Sequence, residues 1–374
     1  VSFRYAAGIN KPGFNPLAAQ PTLYTYYLNA IGSNNVGQLG LSNTTYYSSP
    51  KQVGSLTNWA SISNSSAAPL AIKTDGTLWS WGFNTYGALG LGNTTNYSSP
   101  KQVGALTAWS KTSNSNLSSF AIKTDGTLWS WGSNGSGELG LNNLTYYSSP
   151  KQVGALTNWL NISGGGYSVT AVKTDGTLWA WGGNNYGQLG LGNTTSYSSP
   201  KQVGALTNWL RVSIGGNMCY AIKTDGTLWA WGRNADGQLG LGNTTNYSSP
   251  KQIGALTTWS KVSGKLVFVS AIKTDGTLWA WGNGQYGKLG LNNETYYSSP
   301  KQVGALTNWS AIQVGTNFTS AVKTDGTLWN WGRNSAGQLG FGNTTNYSSP
   351  KQVGSGTTWF SVAPGAVCLH ALLY

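Results

Sequence analysis

Nucleophilic catalysis needs a nucleophile held beside a base, and this chain of 374 residues contains one histidine, His370, so a Ser-His-Asp or Cys-His arrangement has a single place to form. The carboxylate that recurs, Asp75 and its counterparts, stands in Asp-Gly pairs, which tight turns favour because glycine accepts positive φ. Metal ligation has no His, Cys or carboxylate cluster at ligand spacing to rest on. Gly187-Gln-Leu-Gly-Leu-Gly192 resembles a phosphate-cradling loop, but no helix-forming segment follows it and it returns in nearly every part of the chain. The residues therefore predict no catalytic residue, no metal and no cofactor.

Charge and aromatic content look more promising until they are placed in register. The net charge of +13 suggests nucleic acid. However, Lys73 and Asp75 recur together and cancel, and more than half of the excess is one lysine per repeat, from Lys51 to Lys351. Spread around a ring, that lysine would not track a phosphate backbone; it reads as a solubilising charge that discourages edge pairing, and nucleic acid is disfavoured as a partner. The 19 tryptophans are equally regular, at 59, 79, 81 and their equivalents, which predicts packing between repeats rather than light sensing or sugar stacking. The Asn-Thr-Thr sequences at 43, 93, 193, 243 and 343 are formal glycosylation acceptors, yet their place in a repeated turn favours a structural role.

The element that organises all of this is Ala71-Ile-Lys-Thr-Asp-Gly-Thr-Leu-Trp-Ser-Trp-Gly82, which returns almost unchanged at 121, 171, 221, 271 and 321. A hairpin repeated at this period, in a chain with 52 glycines and 13% aromatics, predicts an all-β, seven-bladed β-propeller of four-stranded blades. Residues 25–374 hold seven units, one of them split between 25–50 and 351–374, so one blade should be closed by both termini, leaving no free sheet edge. Within a unit the expected strands are Trp59 to Ser63 innermost, Leu70 to Thr74, Thr77 to Gly82, and about Pro100 to Gly104 outermost. Cys219 and Cys368 would stand three blades apart, too far for a disulfide. Residues 1–24 stand outside the repeat as a tail, either loosely ordered or a docking segment; the candidate anchor residues are Phe3, Arg4, Tyr5, Lys11 and Phe14. The chain starts at Val1 without the apolar core of a secretion signal, so either a leader was removed or the start lies upstream, and no run is long enough for a transmembrane segment.

The motifs Asp-Gly-Thr-Leu-Trp-Ala-Trp-Gly, Asn-x-x-Gly-Gln-Leu-Gly and Ser-Pro-Lys-Gln-Val, recurring in order over residues 25–374, resemble the repeat of the regulator of chromosome condensation family. The resemblance implies the same seven-bladed propeller and a choice of binding roles, among them a chromatin-docked exchange factor for a small GTPase. The family's Gly-x-x-His survives only near His370, with Gly365 out of register. The near-identical units and the tail also resemble repeat proteins encoded by environmental bacteria and their phages.

The repeats agree except in two windows, one between the first and second strands and one just after the third. Antiparallel topology sends both windows to one face of the disc and the near-invariant Thr-Asp-Gly-Thr and Gly-Ala-Leu-Thr connections to the other. Loop variation on one face, rich in Tyr, Ser, Asn, Gly and Arg, predicts a binding surface. The candidate ligand-binding residues are Phe83, Tyr86, Tyr167, Tyr186, Arg233, Asp236, Tyr286 and Arg333. The expected function is a non-enzymatic module that engages a protein or glycan, in an extracellular or virion-associated setting, held to a larger particle through its tail. The alternatives are a structural component of a particle without its own ligand and a chromatin or GTPase regulator.

Overall fold

The computed structural model describes residues 25–64 and 66–374; the anchor residues Phe3, Arg4, Tyr5, Lys11 and Phe14 lie outside the described residues. Seven four-stranded antiparallel sheets are formed, numbered here as blades one to seven in chain order. Blade one runs outward from the axis as Trp59–Ser63, Leu70–Lys73, Leu78–Gly82 and Tyr97–Gln102. Blade seven takes Trp359–Pro364 and Cys368–Leu373 from one end of the chain and Tyr27–Gly32 and Tyr47–Gln52 from the other. Leu28 pairs with Leu372 and Ile31 with Leu369, so the ring closes by a strand ladder between the two ends.

The outermost strand begins at Tyr97, ahead of the expected start at Pro100, and ends at Gln102. Its ladder carries a bulge: Gly82 faces Tyr97, the register then shifts, and Ser80 faces Lys101. Pro100 lies in the stretch between these pairs, on an edge strand, where a missing N–H interrupts no ladder bond.

The tryptophans of the third strand of each complete blade divide into two kinds. Trp81, Trp131, Trp181, Trp231, Trp281 and Trp331 are fully buried, each driven against the preceding blade. Trp131 Nε1 donates to the Ala88 carbonyl at 2.9 Å, and a Cβ added at Gly90 would lie 2.7 Å from that nitrogen. The Gly-x-Leu-Gly segment is thus a socket for the next blade's indole, and its last glycine leaves the room. In blade seven Ile31 replaces the tryptophan and faces Gly340.

The second kind, Trp79 and its equivalents, is only half-buried. Lys73 Nζ lies 3.7 Å from the centroid of Trp79 and 5.2 Å from that of Trp59, a cation–π clamp present in blades one to six. Burial lowers the lysine's pKa against the opposing pull of Asp75. Asp75 accepts from the Thr77 hydroxyl at 2.6 Å and the Thr77 N–H at 2.9 Å, which hold its carboxyl below the ordinary value, and the same hydroxyl accepts from Trp79 Nε1 at 2.9 Å. Lys-Thr-Asp-Gly-Thr-Leu-Trp recurs because turn, hydroxyl, indole and ammonium are one connected unit.

Candidate functional site

Both variable windows emerge together, because a backbone hydrogen bond joins them in every complete blade: Phe83 N–H to Ala67 O at 2.9 Å, Gly183 to Tyr167 at 2.8 Å, Arg233 to Asn217 at 2.9 Å, Arg333 to Asn317 at 2.9 Å. The near-invariant connections meet at the other end, where Thr74 N–H donates to Asn58 O at 2.9 Å. Tyr26 N–H donates to Thr57 O at 2.8 Å, so the described chain enters the disc on that invariant side.

Six of the eight candidate residues take part in contacts that cross blade boundaries around the variable face; among the described residues Phe83 and Tyr167 do not. Arg233 of blade four lies over the Tyr186 ring of blade three at 6.0 Å and pairs with Asp236 at 3.7 Å, and Asp236 accepts from Asn283 of blade five at 3.3 Å. Arg333 of blade six lies 5.2 Å over Tyr286 of blade five. Tyr86 meets Tyr146 of blade two edge to face at 5.7 Å. Tyr86, Tyr167 and Tyr186 remain 38%, 50% and 40% exposed, whereas Phe83, Arg233, Asp236, Tyr286 and Arg333 are half-buried. Tyr286 holds a left-handed backbone, φ +64°, in the one complete blade whose loop has Gly284 where the others have asparagine.

That asparagine explains why the loops stay rigid while their tips vary. Asn84 is fully buried; its Oδ1 accepts from Leu89 N–H at 2.9 Å and its Nδ2 donates to the Asn93 and Thr95 carbonyls at 3.0 and 2.9 Å. Asn93, the formal glycosylation acceptor, uses its own Oδ1 to accept from Thr95 N–H at 3.0 Å, as the turn reading requires. Sequence comparison missed a third variable position on this loop. Where it is Asn96, Asn246 or Asn346 the amide oxygen accepts from the backbone N–H of Asn84, Asn234 or Asn334 at 2.7 to 2.8 Å. Where it is Tyr46, Tyr146 or Tyr296 the ring is about half exposed. The signal was legible: a non-glycine, Ser42, Asn142 or Asn292, precedes each of these tyrosines in place of the usual glycine.

The axis holds a cavity of about 290 Å3 lined by the ends of the innermost strands. Serines staple neighbouring strands there: Ser113, Ser163, Ser213 and Ser263 accept from the N–H of Gly164, Ile214, Gly264 and Val314 in the next blade at 2.9 to 3.1 Å. The series breaks between blades six and seven, where Gln313 replaces the serine and Pro364 has no N–H to give, and in blade one Ser63 donates instead to Thr112 Oγ1 and Asn114 Oδ1 at 2.9 and 2.6 Å. His370 of blade seven is fully buried against blade one, 3.3 Å from Asn64 Nδ2, and burial pushes its pKa down to about 3, which removes it from general-base chemistry near neutrality. Cys219 and Cys368 are both free and buried, and desolvation pushes each thiol's pKa up, Cys368 to about 11. Among the described residues no three His, Cys, Asp or Glu side chains form a metal-binding group, and no helix is long and apolar enough to cross a membrane.

Comparison with protein families matches the "Regulator of chromosome condensation (RCC1) repeat" to residues 75–121, 125–172, 175–222, 225–264, 275–322 and 325–367. Comparison with curated proteins found no match. Among solved structures, Prp20p from Saccharomyces cerevisiae, described with its binding to Gsp1p and histones, is 18% identical over 94% of this chain and 92% of its own, with a TM-score of 0.83. Human WBSCR16 is 20% identical over 93% and 98%, TM-score 0.83. Yeast RCC1 (Prp20) bound to Kap60 is 18% identical over 94% and 89%, TM-score 0.85. At these identities the likeness speaks for the fold.

Proposed function

The chain belongs to the regulator of chromosome condensation repeat family, and from that premise we propose that it acts by binding, as a rigid disc whose variable face engages a protein. The observation that carries this reading is the pairing of the two variable windows in each blade, with Tyr86, Tyr167 and Tyr186 left exposed on loops whose buried scaffold barely changes. Exposed tyrosines on rigid loops bury wide area at little entropic cost. The setting favoured by the solved relatives is that of a regulator working through protein contacts, since Prp20p is described as binding Gsp1p and histones. That setting ranks ahead of the others: display to a protein or glycan outside a cell or on a virion, with residues 1–24 as the anchor, and a structural part of a particle.

The test is affinity capture followed by mass spectrometry, comparing the native chain with a Tyr86→Ala, Tyr167→Ala, Tyr186→Ala variant of unchanged thermal midpoint. A protein retained by the native chain and lost from the variant supports the proposal. Equal recovery from both, or retention of glycan alone, overturns it.

A further inference from the structure

One position of the innermost strands, two residues before the axial serines, is occupied around the ring by Ser61, Lys111, Asn161, Arg211, Lys261, Ala311 and Ser361. It lies just past the bulge that follows Trp59, Trp109 and their equivalents, toward the invariant end of the channel. Three of the bases outside the repeated motifs stand at one level around the axis. Lys111 Nζ reaches into blade three and donates to Asn161 Oδ1 at 3.0 Å and to the Leu160 carbonyl, and the Lys261 ammonium donates to the Ser310 carbonyl of blade six. Arg211 lies between them in the ring. Burial lowers the pKa of both lysines, and the charge of Arg211 lowers each further, so the arginine acts on both.

Nothing anionic answers them. Among the described residues the ion pair present is Arg233 with Asp236, on the other face, and the carboxylates of the invariant turns, such as Asp125 and Asp275, are taken up by Thr127 and Thr277. The remaining blades offer Ser61, Ala311 and Ser361 at this level, and Asn161 completes the ring, so no acidic side chain there would repel an anion. Like charges drawn together without a counterion are unfavourable, and a bound anion relieves both their repulsion and their desolvation. The Arg211 guanidinium makes no hydrogen bond among the described residues, and its planar fork suits two oxygens of one group.

We propose that the channel mouth on the invariant side binds a compact multivalent oxyanion of the phosphoryl class, held by Arg211, Lys111 and Lys261. The three cations, from blades two, four and five, gather on one side of a single axis instead of forming a stripe along the surface, which fits a small anion better than a polymer backbone.

The test is calorimetric titration of pyrophosphate into the full chain at low salt. Saturable one-to-one binding is expected, weakened at least tenfold by Arg211→Gln and unaffected by Lys101→Gln, Lys151→Gln, Lys201→Gln, which removes the same sign of charge from the outer strands. Without ligand, Arg211→Gln should leave the thermal midpoint equal or higher, because it removes repulsion; a lowered midpoint would mark the arginine as a structural element and overturn the assignment. No saturable heat up to millimolar pyrophosphate, equal loss in the outer-lysine variant, or binding of a short oligothymidylate without binding of pyrophosphate would each overturn it.

Discussion

Replacing Gly190 by alanine isolates the contact that stacks one blade on the next. The added Cβ would lie 2.7 Å from Trp231 Nε1 and 3.0 Å from its Cε2, and the indole has no room to move: it is fully buried and its N–H is tied to the Gln188 carbonyl at 2.9 Å. Overpacking of this kind costs about 1–3 kcal/mol. The backbone at Gly190, φ +75°, adds the cost of a left-handed alanine, roughly 1–2 kcal/mol. Gly204 supplies the control, since its φ is +62° and a Cβ added there would meet nothing within 4 Å. Gly204→Ala should therefore lose only the backbone part, while Gly190→Ala loses about 2–5 kcal/mol in sum. Urea unfolding followed by far-ultraviolet circular dichroism reads both, and pairing Gly190→Ala with Trp231→Leu should recover part of the loss as a coupling between the two sites. Equal losses for the two glycine variants, or strict additivity of the pair, would refute the socket.

Deleting Trp359 to Tyr374 strips the inner edge from Tyr27–Gly32 and should lower the thermal midpoint far more than deleting residues 1–20, with new proteolytic cleavage near Leu28. Stability should fall as pH drops from about 6.5 toward 3, because the unfolded chain binds a proton that buried His370, held at a pKa of about 3, refuses; the slope approaches about 1.4 kcal/mol per unit and is flat above that window. His370→Gln should remove that slope, leaving the loss at lower pH that the depressed Asp75-type carboxyls bring.

The ring and its closure were legible because the period is fixed and each unit repeats its turn chemistry, so counting residues located the split blade. The point of entry of the described chain follows from the same register: Thr25 aligns with Asp75, and Tyr26 N–H donates to the Thr57 carbonyl on the invariant side. What escaped was whatever depends on a neighbour in the ring. Pro100 reads as a strand start in isolation, yet the bulge opposite Gly82 lets the strand begin at Tyr97. Tyr146 reads as one more turn residue, yet it is exposed beside Tyr86 of another blade. Lys288 stands where four other units have a glutamine, a buried position where burial lowers its pKa to about 8, with its ammonium 3.3 Å from Asn317 Oδ1. Lys111, Arg211 and Lys261 looked like scattered charges because a linear sum ignores that residues fifty apart share a level on the axis.

The same geometry accounts for which residues the units share. A residue is repeated where its side chain completes a contact that recurs at every blade boundary: Trp131 needs the Gly90 socket, and Thr77 needs both Asp75 and Trp79. It varies where the contact ends in solvent or at the axis, which is why the loop tips and the axial ring are the two places of diversity. The variable face is spread out, since inter-blade pairs such as Arg333 with Tyr286 sit apart around the disc, and it suits a broad protein surface. The axial ring gathers one residue from each blade around a single line, and it suits something small. On the two proposals together, the disc would carry two sites of different size at opposite ends of one axis, and substitution in the loop tips would reshape the first without touching the contacts that hold the blades or the second site together.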